Sequence, residues 1–318
     1  MVISNLELLA STPWLLNSSV LMLGLLIGSF LNVVAYRLPI MLQREWRANA
    51  EYVLNLENQT PSVAAEPTIT TDTVPFHNPI SNELEHPSNL ERTFNLMWPG
   101  SQCPQCGQKI LAWQNIPVLS FLLLKGRCFQ CKTPISKRYP LVEAITGLLS
   151  LVVVMQLGWS FLTLAALVFT WSLWALTLID YDHQLLPDSI TLPLLWLGLL
   201  INTQGLLVPL NYAVWGAVGG YLSLWSVYWV FKLITGKEGM GYGDFKLLAA
   251  LGAWMGWQAL PTIILLSSFV GAVVGITLIF LQGRSKNQPI PFGPYLAAAG
   301  WLYLLWGQEL NIHHWLMP

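Results

Sequence analysis

Apolar residues in this chain gather into runs of about 17–25 positions, long enough for a helix to cross a bilayer. Eight such runs can be read, at residues 14–35, 141–157, 161–179, 190–207, 212–231, 247–260, 263–281 and 290–306, of which 247–260 is the shortest. Short polar connections join the last seven. One long polar stretch, residues 37–140, separates the first run from the others. The pattern predicts an all-α polytopic membrane protein with about eight transmembrane helices and one large loop domain.

Charge orients this arrangement. Lysine and arginine collect on the cytosolic side of a membrane. With the N-terminus outside and eight helices following, all fifteen Lys and Arg residues fall in inside loops or at their membrane edges. Ten lie between Arg37 and Arg138, while Lys232, Lys237 and Lys246 flank a second inside loop and Arg284 and Lys286 sit in the last. Seven helices would break the pattern. The first run has no positive region before it and no small-residue cleavage site after it, so it is expected to remain as a helix.

Composition agrees: 54% of residues are hydrophobic and 10% charged, against about 25% charged in a soluble domain. The net charge of -1 offers nothing to nucleic acid, so none is expected as a partner. Three regions follow: 1–36 with the first helix, 37–140 as a cytosolic loop domain, and 141–318 as the remaining membrane helices. Within the loop, residues 45–98 hold eight acids and five prolines but few large apolar residues. That segment is expected to be a flexible or partly ordered insert, a spacer without chemistry. Four GxxxG pairs, Gly24/Gly28, Gly216/Gly220, Gly252/Gly256 and Gly271/Gly275, are read as helix packing, because small residues let backbones approach closely in lipid.

Residues 99–140 hold all four cysteines. Cys103-Pro-Gln-Cys106 and Cys128-Phe-Gln-Cys131 are two CxxC pairs 21 residues apart. This is close to the spacing of a four-thiolate zinc site, in which two knuckles complete a tetrahedron. In a reducing cytosol disulfides rarely persist. Lys109, Lys125, Arg127 and Lys132 are expected to help hold the thiolates deprotonated. A thioredoxin-like redox pair needs one CxxC in a βαβ context, and neither condition is met. Four thiolates leave no open position for water, so the Zn2+ is expected to be structural, in a zinc-ribbon-like domain.

Acids are scarce beyond Ala144: there are six, and Asp180, Asp182, Asp188, Glu238 and Asp244 are five of them. Carboxylates beside a bilayer are costly and suggest function. Asp180 ends one apolar run and Asp244 begins another, both on the inside face. Two carboxylates within hydrogen-bond reach share a proton, so that one serves as general base and the other as general acid, the chemistry of aspartic proteolysis. Gly241 and Gly243 beside Asp244 fit, since glycine allows unusual backbone angles and close approach. Asp182, two residues from Asp180, faces another way on a helix. Asp188 is read as a helix N-cap. Glu238 and His183 are read as solvated. A proton or cation path is the competing reading, but no acid lies at mid-membrane to relay charge across.

Several blocks then carry a resemblance: Gly28-Ser-Phe-Leu-Asn-Val-Val-Ala-Tyr-Arg-Leu-Pro39, the cysteine module through Arg138-Tyr-Pro-Leu-Val-Glu143, Ile179-Asp-Tyr-Asp-His-Gln-Leu-Leu-Pro-Asp188, Gly239-Met-Gly-Tyr-Gly-Asp244 and Pro291-Phe-Gly-Pro294. In this order they resemble the bacterial type IV prepilin peptidases, bifunctional leader peptidase/N-methyltransferases of the GxGD aspartic protease class. The resemblance covers nearly the whole chain except 45–98. It implies Asp180 and Asp244 as the catalytic pair. It implies cleavage of the basic leader of type IV prepilins or type II secretion pseudopilins after glycine, at the cytosolic face of the inner membrane, with both termini periplasmic. It also implies methylation of the new N-terminal residue, usually Phe, from S-adenosylmethionine, with contacts somewhere in 99–140. A peptidase-only enzyme with a purely structural zinc loop is the alternative.

Overall fold

The computed structural model describes residues 12–59, 94–237, 239–282 and 291–307. Eight long helices run through them: α1 (Pro13–Gln59), α2 (Arg138–Leu157), α3 (Phe161–His183), α4 (Asp188–Asn202), α5 (Leu210–Thr235), α6 (Tyr242–Met255), α7 (Leu260–Gln282) and α8 (Gly293–Trp306). Each corresponds to one apolar run. Among the described residues there is no strand, as the sequence pattern requires. Five segments, Pro13–Asn55, α2, α3, α5 and Trp257–Thr277, are long and apolar enough to cross a membrane. Helices α4, α6 and α8, of 15, 14 and 14 residues, are shorter.

The first helix differs from expectation. It does not stop near Ala35 but continues without a break to Gln59, over 47 residues, or about 70 Å. The opening quarter or so of the anticipated insert, residues 45–59, is therefore ordered helix, and much of the rest lies outside the described residues. The chain returns to α1 where it reappears. Arg37 Nη1 donates to Asn95 O at 3.0 Å and its Nη2 to Pro99 O at 2.6 Å, and the Arg44 guanidinium lies 4.5 Å from the Phe94 ring centre. Both flanks of the insert thus meet the same helix.

Helix α6 explains why its run is short. Every residue from Leu247 to Met255 is buried, so this helix is apolar on all sides and lies inside the bundle. It packs against α4 and α5, while α1 pairs with α2, and α3 and α8 connect the two groups. Three of the glycine pairs, Gly24/Gly28, Gly216/Gly220 and Gly252/Gly256, do serve packing. A Cβ on Gly216 or Gly252 would strike the backbone of the other, and one on Gly220 would lie 2.6 Å from Leu248 O. Gly24 and Gly28 meet α2 in the same manner, against Gly147 and Glu143.

Two side chains tie α6 to α4. Buried Trp254 donates from Nε1 to Leu194 O at 2.8 Å. Asn202 is 1% exposed and all its polar atoms are engaged, which makes it a structural pin. Its Nδ2 donates to Ala253 O and Trp254 O, both at 2.9 Å, and its Oδ1 accepts from Leu207 N and Val208 N. It thereby satisfies carbonyls at the end of α6 that no helix bond reaches. Asn202→Ala is expected to cost about 3 kcal/mol, since several buried backbone groups lose their partner. A thermal unfolding midpoint in detergent unchanged from wild type would sink this assignment.

Candidate functional site

Asp180 lies in the last turn of α3 and Asp244 in the first turn of α6. Both are buried, at 5% and 8% exposure, and both line one cavity of about 770 Å³. They approach it from two different helices. The structure thus brings together the two carboxylates that the sequence separates by 63 intervening residues. Asp182 and Asp188 are elsewhere engaged. Asp182 is paired with the Arg138 guanidinium through two contacts, one of them 2.9 Å. Asp188, whose side chain is 54% exposed, takes both its oxygens to Lys246 Nζ at 2.7 Å. It makes no cap hydrogen bond; the N-cap of α4 is Pro187. Asp188 is therefore an ion-pair partner rather than the cap expected. Glu238 lies outside the described residues.

Each buried carboxylate sits at the start of a helix, where unpaired N–H groups and the helix dipole favour a negative charge. Asp244 is in the first turn of α6 itself. Asp180 is at the C-terminal end of its own helix, the unfavourable end, but it reaches α8. Gly293, the first residue of α8, donates its N–H to Asp180 Oδ2 at 3.0 Å. A Cβ on Gly293 would lie 2.6 Å from that oxygen. The Pro291-Phe-Gly-Pro294 block could be matched in sequence, but this contact is tertiary and no spacing announces it. Asp244 Oδ1 is buried without a hydrogen-bond partner among the described residues, an unusual state for a buried polar atom and one that calls for an explanation.

Gly241 and Gly243 divide the roles expected of them. Neither adopts a left-handed backbone; Gly241 has φ -83. Gly243 is needed for close approach, because a Cβ there would meet Leu186 Cβ at 2.7 Å. That contact docks the start of α6 against the Leu186-Pro187 segment after Asp180. Gly241 has no such crowding: its added Cβ would be 3.9 Å from Asp244 Oδ2. The cavity wall also includes Leu42 and Trp46 of α1. Sequence reasoning placed these in the loop domain and missed them. Their position follows only from the uninterrupted helix.

The four cysteines form a separate cluster. Their sulfurs all lie within 4.8 Å of one another, and Cys103 and Cys131 Sγ are 3.8 Å apart. A tetrahedral zinc with Zn–S near 2.3 Å demands edges of about 3.8 Å, so the donor set and its spacing fit a metal ion. Two similar knuckles present them. Cys103 N bonds Gln108 O and Cys128 N bonds Thr133 O, and isolated β-bridges at Gln102/Lys109 and Arg127/Pro134 close each loop. Four residues after the first cysteine of each pair the backbone turns left-handed, at Gly107 (φ 68) and Lys132 (φ 61). Thr133 pushes the Cys131 thiol down to about 6 by hydrogen bonding to it from hydroxyl and backbone. The leading causes here are hydrogen bonds, not the surrounding lysines and arginine invoked from the sequence.

Taken together, fold and site define a helical, membrane-type protein with two buried aspartates on one cavity and an appended four-cysteine module that could hold a metal ion. Comparisons give the family. The model of the bacterial peptidase A24 N-terminal domain matches residues 22–157, and that of the type IV leader peptidase family matches residues 167–276. The chain is 57% identical over 308 residues to a prepilin leader peptidase/N-methyltransferase of Aeromonas salmonicida, covering 96% of each chain. It is 52% identical over 306 residues to the protein of that name from Pseudomonas aeruginosa, again covering 96% of each. With that of Neisseria gonorrhoeae it shares 50% identity over 280 residues, which cover 88% of this chain and 87% of the relative. No solved structure matches significantly. The chain belongs to the type IV leader peptidase family.

Proposed function

We propose that this protein is an intramembrane aspartic endopeptidase that removes the basic leader of type IV prepilins or type II secretion pseudopilins, and then methylates the new N-terminal residue. The observation that carries the peptidase reading is the burial of Asp180 and Asp244, from two different helices, on one cavity. A water between them attacks the carbonyl of the glycine that ends the leader. One carboxylate takes the water's proton and the other gives a proton to the leaving amine. The backbone N–H of Gly293 orients Asp180, and the first turn of α6 orients Asp244. The cavity wall of Leu42, Trp46 and Phe292 suits the apolar segment that follows the cut.

In this reading all eight helices belong to the membrane part of a bacterial inner-membrane protein, with termini in the periplasm and the cavity at the cytosolic face. The clustering of Lys and Arg in the loops on one side supports this orientation. Residues 141–318 form the peptidase part. Residues 99–140 are the cysteine module, in which Cys103, Cys106, Cys128 and Cys131 would hold Zn2+. The metal would brace the module and complete its fold. S-adenosylmethionine supplies the methyl group, and the module that would receive it meets α1 where Arg37 donates to Pro99 O.

A cleavage assay tests the whole. Purified protein is incubated with a prepilin bearing a basic leader and a Gly-Phe junction, and the product mass is read with and without S-adenosylmethionine. Loss of the leader, plus one methyl when the donor is present, is the expected result. No leader loss from folded protein overturns the peptidase reading. In the same assay Cys103→Ser should impair methylation far more than cleavage, because it opens one corner of the metal site while leaving Asp180 and Asp244 untouched. Equal loss of both would show that the module supports the entire fold.

A further inference from the structure

Between its two knuckles the cysteine module dips alongside α1 and α2. Glu143, five residues into α2, accepts the N–H of Val118 at 2.8 Å. Five residues of helix carry this point roughly 7.5 Å beyond Arg138. Gly28 packs on Glu143 at the same level. The outward-facing residues nearby are already apolar: Phe30 and Leu141 are exposed. Val118 therefore lies below the charged ends of both helices, at a depth where their outer faces are suited to lipid.

From Val118 the chain makes one helical turn, Leu119–Leu123. Leu119, Leu122 and Leu123 share one side of it by the i, i+3, i+4 rule. They are 50%, 64% and 66% exposed, whereas Pro117 and Ser120 face the protein and are buried. Backbone at this depth survives in lipid only if its polar groups are satisfied internally. Along the turn most of these N–H groups find backbone partners: Ser120 N bonds Ile116 O, Leu122 N bonds Val118 O, Leu124 N bonds Ser120 O and Gly126 N bonds Phe121 O. Val118, with φ 58, has its N–H taken by Glu143. Exposed Lys125 and Arg127 follow directly. Residues 99–140 contain Lys109, Lys125, Arg127, Lys132, Lys137 and Arg138 and no acid.

We infer that the Leu119–Leu123 turn is an interfacial wedge: its three leucines enter the acyl boundary of the bilayer, and Lys125 and Arg127 meet anionic headgroups above them. The inference rests on the reading that α1 and α2 cross that bilayer. Apolar area outside a membrane span, flanked by cations and without acids, has the composition of a surface that lies in the interface plane. The wedge holds the cysteine module against the leaflet, so that the module cannot swing away from the helices it hangs between.

The test uses the unmodified full-length protein in nanodiscs of phosphatidylcholine and phosphatidylglycerol, with a photoactivatable diazirine near the headgroup end of one acyl chain. Irradiation, digestion and mass spectrometry locate the adducts. Adducts on Leu119, Leu122 or Leu123 are expected at a yield comparable with Phe30 and Leu141 and several-fold above Gln105, which is exposed on the first knuckle. Labelling of Phe30 and Leu141 with the turn at the Gln105 level would overturn the wedge alone. Absence of label on Phe30 and Leu141 would overturn the membrane reading beneath it. Discs without phosphatidylglycerol should lower the yield on the turn; an unchanged yield overturns the headgroup contact. If added prepilin abolishes labelling of the turn, the surface belongs to a substrate helix and the lipid assignment is wrong.

Discussion

Asp244→Ala is expected to lower leader removal by about a thousandfold or more, since it deletes one of two groups that move protons in the same transition state. Asp180→Ala should do the same, and the double variant should be little worse than either, because the pair acts as a unit. Asp244→Asn, which keeps the side chain's shape, separates chemistry from folding: the buried site stays filled and activity should still vanish. Asp188→Asn provides the contrast. That side chain lines the same cavity but is exposed and paired with Lys246, so cleavage should persist within a few-fold. Initial rates of leader loss, measured on protein shown to be inserted and folded, decide the matter. Normal cleavage by either Asp180 or Asp244 variant would remove the foundation of the proposed mechanism.

The second large effect concerns a residue with no side chain. Gly293→Ala places a methyl 2.6 Å from Asp180 Oδ2, closer than van der Waals contact allows. The carboxylate must move or the start of α8 must retreat, and the N–H bond to Asp180 is strained either way. An ångström of misplacement at a reacting group can cost on the order of a hundredfold in rate. We expect kcat to fall by about that factor, with KM changed less, because of the proposed apolar contacts only Phe292 adjoins Gly293, while Leu42 and Trp46 lie on α1. Alanine is intrinsically better than glycine inside a helix, so loss of helix stability cannot be the cause. A kcat equal to wild type would mean that the Gly293 N–H does not position Asp180.

Much of this architecture was legible from the spacing of apolar runs, for a plain reason: a helix in lipid must be apolar over its whole length, and that needs no knowledge of its neighbours. The two acids stood out because so few others surround them. The cysteines announced themselves through spacing alone. What escaped were features set by contact or by averaging. Residues 45–98 average to a polar, proline-rich segment, yet its five prolines lie at Pro61, Pro67, Pro75, Pro79 and Pro87, and none falls within the part that is helical. Without proline, and with three Glu, two Ala and two Leu, 45–59 can simply extend the helix before it. Asp188 looked like a cap because it follows a proline and opens a helix, and Lys246, its partner, lies 58 residues away. Gly293 looked like a motif letter, since the atom it serves is 113 residues earlier.

One consequence of α1 remains. The same unbroken helix packs on α2 through Gly24 and Gly28, holds the returning chain with Arg37, and lends Leu42 and Trp46 to the cavity. Each added residue turns the remainder of an α-helix by about 100° and advances it by about 1.5 Å. The stretch between Gly28 and Trp46 is therefore a phase angle as well as a length. Insert or delete one residue there and the anchoring face stays in place while the cavity face points to solvent. Neither Asp180 nor Asp244 would be touched, yet one wall of their chamber would be gone.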